Sequence, residues 1–398
     1  MAFEMQKLTD TRQQVSAAYG EKTMRTASTL EPFTIIPTGI FMLDLALCGG
    51  ICESTANMFL GWESVGKTTN CYRVIGEFQK KYPNKRVAWI DLDPMGIQQE
   101  WAAAQGADMT KVELLQAPSG QAAVDLADVA AHTEEISLII VDPLSGIVHS
   151  DIVEKSAEDG ANYAYMANQI TRLCTKMRIY MLERAKIGNK LTVLSTNQWR
   201  YKQVQNPKMD NRVLPGGVLS NFFHQTKVEL FAKKINMENG KITDKNDAYE
   251  GGFKIWKSKG SSGLKEGAFE MVTDPQNKYG YGTVVEFDQI RNYAAQMGIM
   301  EGRAPKLYVP MFDYHFRTGA EVSSLLQTDK EFNLYMRQAT LAKFREIKGM
   351  TPFPIDNYLG GAKKLAPLKT TASTHAAKPA ASPAKPKFKL PVRHVKTS

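Results

Sequence analysis

A chain of 398 residues has room for one large core with smaller accessory units, and 43% apolar and 23% charged content is that of a globular protein, not a fibrous or low-complexity one. The net charge of +9 sits at one end: residues 361–398 carry nine Lys or Arg and no acid, leaving 41 basic against 41 acidic residues elsewhere, so any nucleic-acid site in the body must be a local concentration of charge. Four cysteines without CxxC spacing, six scattered histidines and no apolar run of membrane-spanning length argue against a disulfide framework, a zinc cluster and a membrane partner, and predict a cytoplasmic protein.

Along the chain, residues 1–33 read as a small helical element, with one amphipathic helix ending near Gly20. Over residues 34–288, expected strands at 56–60, 87–91, 137–142, 191–196, 226–231 and 252–257 alternate with expected helices at 68–81, 121–132 and 160–185. That alternation is the signature of an α/β fold around a mostly parallel twisted sheet. Residues 289–358 suggest a small C-terminal α/β domain with a helix over 329–349. Residues 359–398 are an Ala/Pro/Lys tail that lacks the apolar surface to fold and is expected to be disordered.

The sequence GWESVGKTT begins at Gly61, and Gly61 to Thr68 match the phosphate-loop pattern G-x-x-x-x-G-K-[ST]. Gly61 and Gly66 let backbone N–H groups turn towards phosphate oxygens, Lys67 supplies a point charge, and the Thr68 hydroxyl suits Mg²⁺. A strand pattern before and a helix pattern after distinguish this from an ordinary turn, and the helix N-terminus adds partial positive charge. The run SLIIVD ends in Asp142, the candidate second Mg²⁺ ligand, although such a run alone is usually a plain strand end. VAWID ends in Asp91 and is followed by Asp93, a carboxylate placed either to activate water or to cap the next helix. These residues predict a nucleotide triphosphatase with ATP and Mg²⁺ as cofactors. After Gln198 comes WRYKQVQNPKMDNRVLPGG, where Arg200, Lys202, Lys208 and Arg212 are interleaved with Trp199 and Tyr201. Positive charge with aromatic faces suits single-stranded DNA, and Gly216 and Gly217 suit close backbone approach; a plain solvated loop is the alternative.

The phosphate loop also carries G-x-E-S-x-G-K-T-T, with Glu63, Ser64 and Thr69 in the family positions. With Pro37-Thr38-Gly39 and Leu43-Asp44-Leu45-Ala46-Leu47 upstream, LTVLSTNQ, Gly216-Gly217 and Lys257-Ser258-Lys259 downstream, residues 15–290 resemble the bacterial RecA recombinases and their phage relatives. The resemblance implies a RecA-type P-loop ATPase core over 34–288. It implies that Asp93 takes the place of the family's catalytic Glu and that Gln198 senses the γ-phosphate beside a second DNA loop. By the same resemblance Trp101 lies against adenine (ordinary core packing being the alternative), and Lys257 and Lys259 reach a neighbour's ATP. Residues 1–33 correspond to the polymerisation element, Phe222 to an interface aromatic, and residues 153–164 to a shorter, more acidic first DNA loop. The implied activity is an ATP-dependent DNA recombinase that forms a helical filament on single-stranded DNA, pairs it with homologous double-stranded DNA and exchanges strands.

Four departures stand out. Asp93 replaces Glu, Trp62 replaces a loop proline, Pro143 replaces the usual Ser, and the tail is basic where familiar members are acidic. They fit a divergent branch, such as a phage-encoded protein in a host cytoplasm. Two rivals are a RecA-core helicase motor, for which residues 1–33 are too short to form a collar, and an ATP-switched DNA-binding scaffold without strand exchange, which Asp93 favours.

Overall fold

The computed structural model describes residues 2–20, 23–24, 26, 33–93, 96–147, 159–201, 212–235, 247–259 and 263–351. Residues 153–158 of the expected first DNA loop, Lys202, Lys208 and the tail over 359–398 lie outside the described residues. Helix α1 (Ala2–Tyr19) ends at Gly20, and then β1 (Ile35–Ile36), α2 (Phe41–Ala46) and β2 (Ile51–Cys52) lead into the main sheet. The chain continues through β3 (Ala56–Gly61), α3 (Lys67–Lys81), β4 (Arg86–Asp91), α4 (Gln99–Ala104), β5 (Val112–Gln116) and α5 (Gly120–His132). Next come β6 (Ile136–Asp142), α6 (Asp159–Lys186) and β7 (Thr192–Gln198), followed by a short antiparallel pair, β8 (Arg200–Tyr201) and β9 (Arg212–Val213). Helix α7 (Gly217–Phe223) precedes β10 (His224–Ile235), β11 (Ala248–Ser258), β12 (Glu266–Val272) and β13 (Val284–Val285). The last elements are α8 (Phe287–Gln296), the hairpins of β14 (Glu301–Arg303), β15 (Lys306–Val309) and β16 (Tyr314–Phe316), α9 (Gly319–Thr328) and α10 (Lys330–Ile347).

Among the described residues, the central sheet has nine strands in the order β13-β12-β11-β10-β3-β7-β6-β4-β5. From β10 to β5 neighbouring strands are parallel, and β11 to β13 extend the sheet in antiparallel fashion. Helices cover both faces, so all seven residues of β6 are buried and its apolar run shows no alternation. Its side chains still divide by face. Leu138 and Ile140 join the cluster containing α2 and α3, while Ile139 and Val141 join the cluster containing α5 and α6. Each expected strand and helix of the core forms, within a few residues of its expected ends.

The C-terminal elements share the first of these clusters: Phe332, Met336 and Ala339 of α10 pack with Phe41 and Leu45 of α2. Helix α2 has no side-chain cap of its own at Ile40. Glu286, fully buried, fills that role from a distance, accepting the N–H groups of Phe41 and Met42 at 2.9 Å each. Arg337 of α10 neutralises the same carboxylate at 3.2 Å, and Arg345 donates to the Cys48 carbonyl at 2.6 Å.

Candidate active site

Strand β3 ends at Gly61 and α3 begins at Lys67, so residues 62–66 turn between a strand end and a helix N-terminus. Gly61 has φ 150°, and a Cβ there would lie 2.6 Å from the Leu230 carbonyl oxygen on the neighbouring strand. Gly66 caps α3 with φ 83°, a left-handed conformation that favours glycine. Lys67 is buried, and its Nζ donates to the carbonyl oxygens of Trp62 at 2.6 Å and Gly61 at 3.4 Å. Burial pulls its ammonium down to about 8, opposed by the charges of Asp142 and Glu63.

Asp142 ends β6 directly across from the loop. Its Oδ2 accepts the Thr68 hydroxyl at 2.8 Å and its Oδ1 accepts the Thr196 hydroxyl from β7. Burial pushes the Asp142 carboxyl up, opposed by both hydroxyls and Lys67. Next to it, β4 ends at Asp91, also buried, whose Oδ1 accepts the Asp93 N–H at 3.1 Å. The other Asp91 oxygen has no hydrogen-bond partner among the described residues. Helix α4 starts at Gln99, and its N-cap residue Gln98 makes no side-chain cap bond of its own. Trp101 donates its indole N–H to the Thr69 hydroxyl at 2.9 Å and lies 4.8 Å from Tyr281, ring centre to ring centre.

Lys67, Thr68, Asp93, Trp101, Asp142 and Gln198 line one open cleft of about 1180 Å³, together with Glu63, Ser64, Gly66 and Thr69 of the loop. A buried lysine, a hydroxyl–carboxylate pair and a buried carboxylate oxygen lacking a donor fit a magnesium-bound nucleoside triphosphate with an attacking water. Thr68 and Asp142, hydrogen-bonded to each other, would hold such an ion. Asp91, Thr196 and Tyr249 belong to the same cleft or its wall and are additions to the sequence-based set. Asp91 was visible in sequence as a strand-end acid. Lys257 and Lys259 are not brought to this cleft within the chain: Lys257 Nζ donates to the Asn221 carbonyl at 2.7 Å, beside the exposed Phe222.

At the mouth of the cleft, Gln198 ends β7 and its Oε1 accepts the Arg200 guanidinium at 2.9 Å. Asn197 donates its amide to the Pro215 carbonyl at 2.9 Å, tying the end of β7 to the returning chain. Gly216 and Gly217, with φ of 113° and 66°, form the start of α7. The expectation for Trp199 is corrected here. It is 4% exposed, and its indole N–H donates to Glu229 at 2.7 Å, so it offers no open stacking face. Trp256 donates to the other Glu229 oxygen at 2.7 Å. Arg212 pairs with Glu229 at 3.2 Å, with its guanidinium 5.0 Å from the Trp199 ring and 5.9 Å from that of Trp256. Both feet of the segment between β8 and β9 are thus pinned to β10 and β11. The exposed aromatic at this root is Tyr201, 64% exposed, whose ring lies 4.8 Å from that of Trp62.

A family model described as the RecA N-terminal domain matches residues 6–276. The chain is 29% identical over 245 residues to Protein RecA of Fusobacterium nucleatum, a match covering 60% of this chain and 59% of that protein. It is 25% identical over 325 residues to Protein RecA of Nitratidesulfovibrio vulgaris, covering 80% and 82% respectively. Against the chloroplastic DNA repair protein recA homolog 1 of Arabidopsis thaliana, identity is 29% over 241 residues, covering 59% of this chain and 51% of that one.

Proposed function

This chain belongs to the RecA family, and from that premise we propose that it is an ATP-dependent DNA recombinase acting in recombination and repair. The observation that carries the reading is the junction at the end of β7. Gln198 lines the phosphate cleft and simultaneously holds Arg200, the first basic residue of the candidate DNA loop.

In this reading the loop N–H groups and Lys67 hold the β- and γ-phosphates of ATP, and Trp101 borders the adenine. Mg²⁺, held by Thr68 and Asp142, neutralises phosphate charge as a Lewis acid when bound. Asp93 orients the attacking water and accepts its proton, from a carboxylate about 1.5 Å further back than glutamate would place it. Gln198, a neutral amide, exchanges partners between the γ-phosphate and Arg200 at little charge cost. Arg200, Lys202, Lys208 and Arg212 supply positive charge to DNA, Arg212 also fixing the loop root. Lys257, Lys259 and Phe222, remote from their own cleft, belong to a head-to-tail filament interface, with α1 docked on the next subunit.

ATP hydrolysis measured with and without single-stranded DNA, beside electron microscopy of the complex, tests the proposal. Helical filaments with DNA-stimulated turnover support it, whereas closed rings point to a helicase. Asp93 favours one second reading, an ATP-switched scaffold, which would give filaments with negligible turnover.

A further inference from the structure

Trp62 directly follows the last residue of β3, in the turn that meets phosphate. Its carbonyl accepts Lys67 Nζ at 2.6 Å, so the backbone at Trp62 is bonded to the ammonium that faces the phosphates. Any displacement of Lys67 along the cleft therefore pulls on the Trp62 peptide. The indole of Trp62 is partly buried against the α5–α6 side of the sheet. It leaves that core to meet the Tyr201 ring, 4.8 Å away and inclined by 36°. Offset and inclined ring pairs of this spacing are attractive beyond their buried area. Tyr201 in turn is the last residue of β8, paired with Arg212 of β9.

The base on which Tyr201 stands is fixed. Trp199, two residues earlier, and Arg212, its cross-strand partner, both terminate on the Glu229 carboxylate, which is 1% exposed. Glu229 itself pairs in register with Leu60, the residue before Gly61. The phosphate turn thus abuts, through the Trp62 and Tyr201 rings, a root anchored on the buried Glu229 carboxylate. The Gln198–Arg200 bond, at the mouth of the cleft, is a separate link between the same two regions.

We propose that the Trp62–Tyr201 ring contact couples nucleotide occupancy of the phosphate loop to DNA binding at the β8–β9 root, with the Trp199–Glu229–Arg212–Trp256 cluster as its fixed base. The inference rests on the recombinase reading above. Coupling between two ligands is reciprocal: the factor by which nucleotide tightens DNA equals the factor by which DNA tightens nucleotide.

The test is that coupling factor, obtained as the ratio of single-stranded oligonucleotide affinity without and with a non-hydrolysable ATP analogue, in the full chain. Tyr201→Ala and Trp62→Ala should each lower the factor about two- to tenfold, and the double variant should lower it no further than the more damaging single change. Tyr201→Phe, which keeps the ring, should retain it. The reverse measurement, analogue affinity with and without oligonucleotide, should change by the same factor. If the single variants weaken DNA equally with and without analogue, Tyr201 is only a DNA contact or a structural residue and the coupling role is overturned. A wild-type protein whose DNA affinity ignores the analogue would instead defeat the recombinase reading, and the coupling role with it.

Discussion

Replacing Glu229 by alanine is expected to destabilise the folded protein by about 4 kcal/mol. The carboxylate accepts two indole N–H groups at 2.7 Å and one guanidinium at 3.2 Å. Hydrogen bonds to a charged group contribute about 1.5–3 kcal/mol each, but the Arg212 side chain is 23% exposed, and its share must be reduced for solvent screening. Removing the charge also relieves the desolvation of a buried carboxylate, which offsets part of the loss. What remains is the cost of two indole donors and a ring-stacked cation left without an acceptor, in the range of about 3–5 kcal/mol typical for breaking a buried pair. Glu229→Gln keeps the volume and one acceptor oxygen, but its NH₂ group confronts the second indole N–H, so about 2–3 kcal/mol is expected. Equilibrium urea unfolding, followed by circular dichroism and by indole fluorescence, measures both. A loss below about 1 kcal/mol for Glu229→Ala, with an unchanged urea dependence, would refute the argument that this carboxylate organises the loop root.

Lys67→Ala should weaken binding of a fluorescent ATP analogue about a hundredfold, from the loss of charge-assisted bonds to phosphate; a change under about fivefold would remove Lys67 from the site. Asp93→Glu should raise single-turnover ATP hydrolysis about tenfold by restoring reach to the water, and an unchanged or lower rate would show that this chain places its water differently. His224 is buried between Ser195 and Ser220, and burial pushes its imidazole down to about 3. Its unfolded value is about 6.5, so its contribution to stability is complete above that pH and is lost as pH falls towards 3, about 2 kcal/mol by pH 5. His224→Gln should lack that loss, and parallel stability–pH curves for the two proteins would contradict the assignment. Removing residues 361–398, with their nine basic side chains, should lower duplex DNA affinity and its salt dependence; identical binding isotherms across salt would exclude a role for the tail.

Where side-chain pattern and local chemistry coincide, the sequence was readable. A strand, a Gly-framed turn and a helix announced the phosphate loop, and continuous apolar runs announced β3, β4, β6 and β7, because strands covered on both faces need no alternation. Strand β5 escaped notice as an edge strand with Leu114 44% exposed, which leaves its apolar residues looking like surface. Strand β12 escaped for another reason. Its Phe269 sits opposite Gly251 and its Gly267 opposite Phe253, so each large ring covers a glycine and the hydrophobic pattern is shared across two strands. Trp199 among basic residues read as a stacking face because its partner, Glu229, lies 30 positions away. The contact of Trp62 with Tyr201 joins the phosphate turn to the end of β8, which only the sheet order brings together.

The Glu286 bridge has an architectural consequence. The family match stops at residue 276, yet the first turn of α2 is completed by a carboxylate ten residues further on, itself held by α10. The smallest fragment that folds is therefore longer than the stretch that family comparison identifies. Cleavage between β12 and α8 should expose two amide N–H groups and a stripe of apolar core, releasing an aggregation-prone piece. A durable trimmed protein needs to extend through α10.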